Sequence, residues 1–380
     1  MRKTFRFKLY NSKRNRHLHR QIDIASEIYN HCIALHKRYY RLFGKSLNKY
    51  QLQKHLTELK KQNRYKHWNS VGSQAIQDIT DRIDRAYKLF FDALKSNRKV
   101  APPSFKKCIK YKSITLKQAG YKLVEGIKLK IGKRIYKYHK SRDIQGIIKT
   151  LTIKRDQLGD IYIFFSCELP DIEVNRAMTG KSAGFDFGLK TFLTPSDDTA
   201  EIDAPFFFKQ GVKGIKKANK ALSSKKKGSN NRKKARLNLA RVHKRIANQR
   251  RDYHFKTANR LAEQYDHLFF EDLHIKAMQM MWGRKISDLG FHNFLRIQEH
   301  CCKKSGSEIG YIHRFFPSSK LCHVCSSQND ELSLYDRSWI CKSCGTIHNR
   351  DKNAAINIHR EGASSLGLED VRPSKTAILV

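Results

Sequence analysis

"CHVCSSQNDELSLYDRSWICKSCGTIHNRDKNAAINI" (residues 322–358) sets two Cys-x₂-Cys pairs directly upstream of an acid that opens an alanine-rich, helix-like segment. The spacing C-x₂-C, fifteen residues, C-x₂-C is that of a structural zinc site, because a tetrahedral Zn²⁺ takes four soft ligands from two tight turns. Cys322, Cys325, Cys341 and Cys344 fill all four positions and leave none for water, so the expected role is one structural Zn²⁺. Disulfides are the competing reading. His323 and His348 flank the pairs and are expected beside the ligands or at the surface.

Asp351, which follows the knuckle, has two counterparts upstream. Asp186 lies inside an apolar strand-like run, "GFDFG", and Glu271 ends another, "FFED". Acids at helix starts and strand ends are commonly caps or surface pairs, but an acid within a hydrophobic run is costly unless a cation answers it. Three of them, on a first strand, a later strand and a closing helix, form the arrangement that binds two Mg²⁺ ions for phosphodiester hydrolysis. Asp272 competes with Glu271; successive strand residues face opposite ways, and Glu271 follows the apolar run more closely.

Charge points the same way. The 380-residue chain carries 77 Lys and Arg against 34 Asp and Glu, a formal balance of +43, spread over most of its length. A field of that size concentrates polyanions, and nucleic acid repays it through released counterions. The excess peaks between Lys209 and Arg251, where no acid occurs. Thin apolar stripes (Ala218 and Leu222, then Leu237, Ala240 and Ile246) around "KKKGSNN" read as a basic helical hairpin. Lys225, Lys226, Lys227, Arg232, Lys233, Lys234, Arg241, Lys244 and Arg245 are its expected phosphate contacts. No stretch approaches the roughly 20 apolar residues of a membrane span, so no membrane partner is expected. The N-terminal "MRKTFRFKLYNSKRN" suits a strand and not a signal peptide. The five remaining cysteines, Cys32, Cys108, Cys167, Cys301 and Cys302, read as core thiols of a protein in a reducing cytoplasm.

Periodicity gives the frame. "TFRFKL" is a strand; residues 16–97 are mainly helical, most cleanly through Ile76, Ile79, Ile83, Ala86, Tyr87 and Phe90. "APPSF" (101–105) breaks the helix, and short strands follow to about residue 169. That order suggests a small β-barrel interrupted by a helical lobe. "DIEVNRAMTGKS" (171–182) reads as a linker, and "AGFDFGLKTFLTPSDDTAEI" as two or three adjacent strands in which Gly188 marks a bend or close approach. Ala354 and Ala355 would let the last helix lie close to the sheet.

"GFDFGLKTFLT", "LFFEDLHI", "FFPSSKLCHVC" and "CKSCGTIHNRDKNAAINIH", in that order, resemble the RuvC-type motifs and zinc module of the TnpB proteins of bacterial insertion sequences. "SQAIQDITDRIDRAYKLFFDAL", "PSFKK", "YKSITL" and "MWGRKISDLGFHNFL" resemble further landmarks of that family, so the likeness runs to about residue 360. It implies an α/β multidomain protein. A wedge β-barrel (1–15 and 98–172) would hold a helical recognition lobe (16–97). An RNase H-like, RuvC-type nuclease domain (180–317 and 346–362) would hold a zinc module (318–345), with a tail at 363–380. The implied activity is RNA-guided cleavage of double-stranded DNA beside a short adjacent motif, Mg²⁺-dependent, with a guide RNA derived from the transposon end, in the bacterial cytoplasm at the nucleoid. Asp186, Glu271 and Asp351 take the catalytic positions, and the four cysteines the zinc positions. Asn349 stands where relatives often carry an acid, which leaves the triad intact. Ser73, Gln74 and Gln77 are polar positions of the lobe suited to reading base edges. A nuclease-inactive RNA-guided repressor would have lost one of the three acids; a strand-joining transposase could share them.

Overall fold

The computed structural model describes residues 2–170, 176–333 and 335–368. The chain divides into two compact units, residues 1–172 and 173–380.

In the first unit, β1 (Arg2–Lys8) turns one face inward through Phe5 and Phe7, as its alternation requires. Three helices follow: α1 (Asn15–Phe43), α2 (Lys49–Leu59) and α3 (Ser73–Lys95). The stripe Ile76, Ile79, Ile83 and Tyr87 of α3 is buried. The remaining strands are β2 (Ser113–Leu116), β3 (Tyr121–Val124), β4 (Lys128–Ile131), β5 (Arg134–Lys137), β6 (Ile147–Arg155) and β7 (Ile161–Glu168). They form two sheets, β1-β7-β6-β2 and β3-β4-β5, with a single bridge, Leu9 to Tyr138, between them. The β6–β7 hairpin turns through Asp156–Asp160, where Gly159 has φ +85°. Sequence periodicity passes over β5, whose "RIYK" buries only Tyr136.

The second unit is built on β8 (Ser182–Asp186), β9 (Thr191–Pro195), β10 (Ile202–Asp203), β11 (His267–Glu271) and β12 (Glu308–Ile312), in the order β10-β9-β8-β11-β12. β9 runs antiparallel to β8 and β10, whereas β8, β11 and β12 are parallel. Parallel neighbours need crossovers. Helices α4 (Phe207–Ser223) and α5 (Asn230–Gln264) lead from β10 to β11, and α6 (Ile275–Leu289) and α7 (Phe291–Ser305) from β11 to β12. A two-stranded element, β13 (Ser338–Ile340) with β14 (Ile347–Asn349), then precedes α8 (Arg350–Ser365).

Both sheet faces are covered. Phe185, Leu268 and Phe270 pack among Ala258, Leu261, Phe291 and Phe294 of α5 and α7. Phe269 packs on the other face with Ile358 and Ala363 of α8. The approach of α8 is close because position 184 carries no side chain: a Cβ there would lie 2.4 Å from the Ala355 carbonyl oxygen. Gly362 repeats the device, its absent Cβ falling 2.2 Å from Phe269. Ala354 and Ala355 are buried as expected. Gly188 makes the close approach anticipated for it, but to the chain's own Thr191 carbonyl.

Two expectations are corrected. The segment after residue 362 is not all tail: α8 continues to Ser365 and buries Ala363, because Phe269 offers it an apolar seat; residues 369–380 lie outside the described residues. Cys108 is exposed and donates to Asp23 Oδ1, while the other four scattered cysteines are buried. Part of the linker reading, at 171–175, also lies outside the described residues.

Gly184→Ala is expected to lower unfolding free energy by about 1–3 kcal/mol through overpacking between α8 and β8. The same change at Gly283, where an added methyl group meets nothing within 4 Å, is expected to be near neutral. Urea denaturation of the two variants checks both.

Candidate metal centres and nucleic-acid interface

Strand parity decides which acids meet. Phe185 and Phe270 point to the α5–α7 side, so Asp186 and Glu271, one residue further, point with Phe269 to the α8 side. Phe185 pairs with Phe270 in register, and the two carboxylates lie one step beyond that pair. Asp351 is supplied from above, in the first turn of α8. Asn349 caps this turn, its side chain accepting from the Asp351 and Lys352 N–H groups. Asp272, just past the end of β11, pairs with Arg314.

Electrostatics records the convergence. Burial pushes the Asp186 carboxyl up to about 7, with further upward pressure from Asp351 and Glu271 and partial relief from Arg350. Glu271 is likewise pushed up to about 7, by burial and then by Asp272. Arg337, at the entrance to β13, sets Nη1 3.4 Å from Asp351 Oδ2, a contact that sequence reasoning missed because nothing local marks this arginine. Carboxyls held near neutrality by burial and mutual repulsion are starved of positive charge, and a divalent cation with oxygen ligands is the group they fit.

The four cysteines stand closer than the acids. Their sulfurs all lie within 4.8 Å of one another, the one such cluster of metal-ligating side chains among the described residues. Cys325 Sγ is 3.5 Å from Cys341 Sγ, and Cys322 Sγ 3.7 Å from Cys344 Sγ. Sulfurs at the corners of a tetrahedron about an ion with bonds of about 2.3 Å would be about 3.8 Å apart, so the donor set fits zinc in chemistry and size. The Ser327 hydroxyl, then the Cys344 N–H, bring the Cys341 thiol down to about 6, while burial pushes Cys322 up to about 12. His348 is buried with Nε2 3.1 Å from Cys322 Sγ, beside the sulfur cluster as its position suggested.

The basic hairpin forms where its composition placed it, α4 and α5 meeting at a turn through Lys225–Gly228. Ile215, Ala218 and Ile246 are its buried contacts. Lys225, Lys226, Lys227, Lys233, Lys234, Arg241 and Arg245 are exposed, and Lys244 is half-buried. Arg232 departs from the expected role. Its Nη1 donates to the Leu222 and Lys225 carbonyls, closing the turn and satisfying the end of α4. In the first unit, Ser73 and Gln74 line a cavity of about 580 Å³ together with Gln21, Lys133 and Arg134. Gln74 also accepts from the Gln118 N–H, and Gln77 is exposed outside that lining.

The second unit thus combines a mixed sheet, acids gathered at its closing helix, and a four-cysteine module just before that helix. Two family descriptions match in succession: "Probable transposase" over residues 164–281 and "Cas12f1-like, TNB domain" over residues 291–358. The two matched stretches between them contain Asp186, Glu271, Asp351 and the four cysteines. The chain is 35% identical over 229 residues to a Streptomyces pristinaespiralis protein named "Putative RNA-guided DNA endonuclease", covering 60% of this chain and 56% of that one. It is 29% identical over 245 residues to the TnpB-like protein L79 of Acanthamoeba polyphaga mimivirus, covering 60% and 46%. The chain thus spans about half the length of these curated relatives. Among solved structures it is similar to the mini-RNA-guided endonuclease CRISPR-Cas_phi3, at 11% identity and TM-score 0.47, over 95% of this chain and 92% of that one.

The raised carboxyls give a pH signature. Between about pH 4 and about pH 7 the unfolded chain has released the Asp186 and Glu271 protons and the folded chain still holds them, so stability falls as pH rises through that window. Without divalent cations, melting temperature is expected to drop over this range, and Asp186→Asn is expected to flatten the drop. Thermal scans of the two proteins at stepped pH measure it.

Proposed function

We propose that this chain is an RNA-guided, double-stranded DNA endonuclease with a single cutting centre at Asp186, Glu271 and Asp351. The observation that carries the reading is the convergence of these three acids at the head of α8, in a chain of +43 charge whose lysines and arginines crowd the acid-free stretch Lys209–Arg251 of the helical hairpin. The sheet order of the second unit, with its antiparallel edge and parallel β8, β11 and β12, supports an RNase H-like domain of RuvC type over residues 180–317 and 346–362. The two sheets of the first unit support a wedge barrel around a helical recognition lobe, and the sulfur cluster supports a zinc-binding target nucleic-acid module at 318–345. Relatives named as RNA-guided DNA endonucleases support guide RNA and DNA as the partners.

Asp186, Glu271 and Asp351 would hold two Mg²⁺ ions. When bound, these ions supply an activated water and charge stabilisation at the scissile phosphate. The chain's own contribution is to bring three carboxylates from separate elements to one point and keep them there. Asn349 fixes the helix start that aims Asp351, and the glycine at 184 allows the helix to descend far enough. Sequence choice would belong to pairing between guide and target, with the protein gripping backbone and the cavity beside Ser73 and Gln74 facing the adjacent motif. The metal of the four cysteines would hold its module rigid and take no part in the chemistry.

Purified protein with its copurifying RNA is expected to linearise a guide-matched plasmid in Mg²⁺ and to spare a scrambled one. Asp186→Asn, Glu271→Gln and Asp351→Asn are each expected to cut at least about a hundredfold more slowly while still binding RNA. Binding without cutting by the unaltered protein would instead mark a repressor, and joined strands a transposase. For the hairpin, replacing Lys225, Lys226, Lys227, Lys233 and Lys234 by alanine is expected to flatten the salt dependence of RNA affinity. The slope of log affinity against log salt should fall by about 0.7–0.9 for each phosphate no longer neutralised; filter binding across a salt series reads it.

A further inference from the structure

Two buried asparagines on α8 have no part in the chemistry above. Asn353 is 1% exposed and Asn357 2% exposed, and with Arg360 they form one stripe of the helix at positions i, i+4 and i+7. All three reach the same short segment of the cysteine module. Asn353 Oδ1 accepts from the His323 N–H at 3.0 Å and from His323 Nδ1 at 2.9 Å, and Asn353 Nδ2 donates to the Leu321 carbonyl at 2.7 Å. Asn357 Nδ2 donates to the Ser318 and Leu321 carbonyls at 2.8 and 2.6 Å, and Arg360 Nη1 donates to the His323 carbonyl. The residues on both sides of Cys322 are thereby gripped by the helix that carries Asp351 at its head.

Packing alone would not ask for this. Alanine fills the neighbouring buried positions, and a buried amide costs free energy unless its bonds are made. What the amides add is a fixed register between a metal-ligand segment and Asp351, which lies two residues before Asn353 in the same helix. The other side of the module is tied to the same turn of α8. The Arg350 N–H donates to the Arg337 carbonyl, and Arg350 Nη1 to the Ser333 carbonyl. Sulfur cluster and acid cluster therefore share one rigid mount, and order gained at one end is order gained at the other.

We propose that Asn353 is a positioning residue that links the two centres, so that a metal held by the four cysteines raises the affinity of the acid cluster for its divalent cation. The proposal rests on the cutting centre proposed above. Linkage makes the coupling reciprocal: a cation at the acids must also tighten the hold on the metal of the four cysteines.

Mn²⁺ is the probe, its binding to the full chain followed by electron paramagnetic resonance with zinc or Co²⁺ in the cysteines. Removing zinc from the unaltered protein is expected to weaken Mn²⁺ binding about tenfold, the lower end of what supporting residues contribute at metal sites. Asn353→Ala is expected to show the weakened affinity even when the Co²⁺ absorption of the cysteine site is unchanged, and to respond no further to zinc removal. The proposal is overturned if Asn353→Ala binds Mn²⁺ as the unaltered protein does, or if zinc removal weakens both proteins equally. Should that variant not fold, the unaltered protein still decides: Mn²⁺ must slow zinc loss to a chelator, and no slowing sinks the coupling. Glu271→Gln separates the two readings. If it binds Mn²⁺ as tightly as the unaltered protein, the cutting centre itself is misplaced; if it binds weakly while Asn353→Ala is normal, only the link is wrong.

Discussion

At position 184 no side chain fits between β8 and α8, and the second unit depends on that absence. With position 184 limited to glycine and positions 354 and 355 to alanine, helix backbone lies almost on strand backbone. The first turn of α8 then falls over the ends of β8 and β11, where the pleat has already aimed Asp186 and Glu271. A larger residue at 184 would lift the helix, and with it Asp351, away from the other two acids. Parity of the strands and closeness of the helix are separate requirements, and both must hold for the carboxylates to meet.

The site is also an electrostatic exception within the molecule. A chain of +43 gathers three of its few acids at one half-buried point and pushes two of them toward neutrality. That arrangement opposes folding until positive charge arrives, and Arg337 and Arg350 supply only part of it. The cysteine module shows a milder version of the same tension. Burial raises Cys322, while Ser327 and Thr346 hydroxyls lower Cys341 and Cys344. In both centres burial and neighbouring groups pull the donor atoms in opposite directions.

Much of this was legible in the sequence, for identifiable reasons. The order of strands and helices in the second unit follows from short apolar runs bounded by turns, and the helical hairpin from a thin stripe inside a basic run. The preference for Glu271 over Asp272 follows from alternation alone; in the structure Asp272 pairs with Arg314, while Glu271 adds to the upward pressure on Asp186. What escaped was interaction between distant residues. Arg232 reads as one more phosphate contact until its guanidinium is seen closing its own turn. Cys108 reads as a core thiol on residue type alone, although Lys106, Lys107 and Lys110 beside it mark a solvated stretch. Asn353 and Asn357 sit in "NAAIN", whose alanines reveal close packing while its amides look like ordinary helix surface. Two asparagines four apart on the buried side of a helix were the available signal, since a buried amide implies a specific partner.

The helical hairpin carries a last implication. From Lys209 to Arg251 the sequence of α4 and α5 contains no acid, most of its lysines and arginines are exposed, and few of its residues are buried. Such a pair of rods repels itself, so a bound polyanion does more than occupy it: neutralisation removes a strain on the fold. A polyanion laid along the hairpin would offset that repulsion and so become part of the architecture.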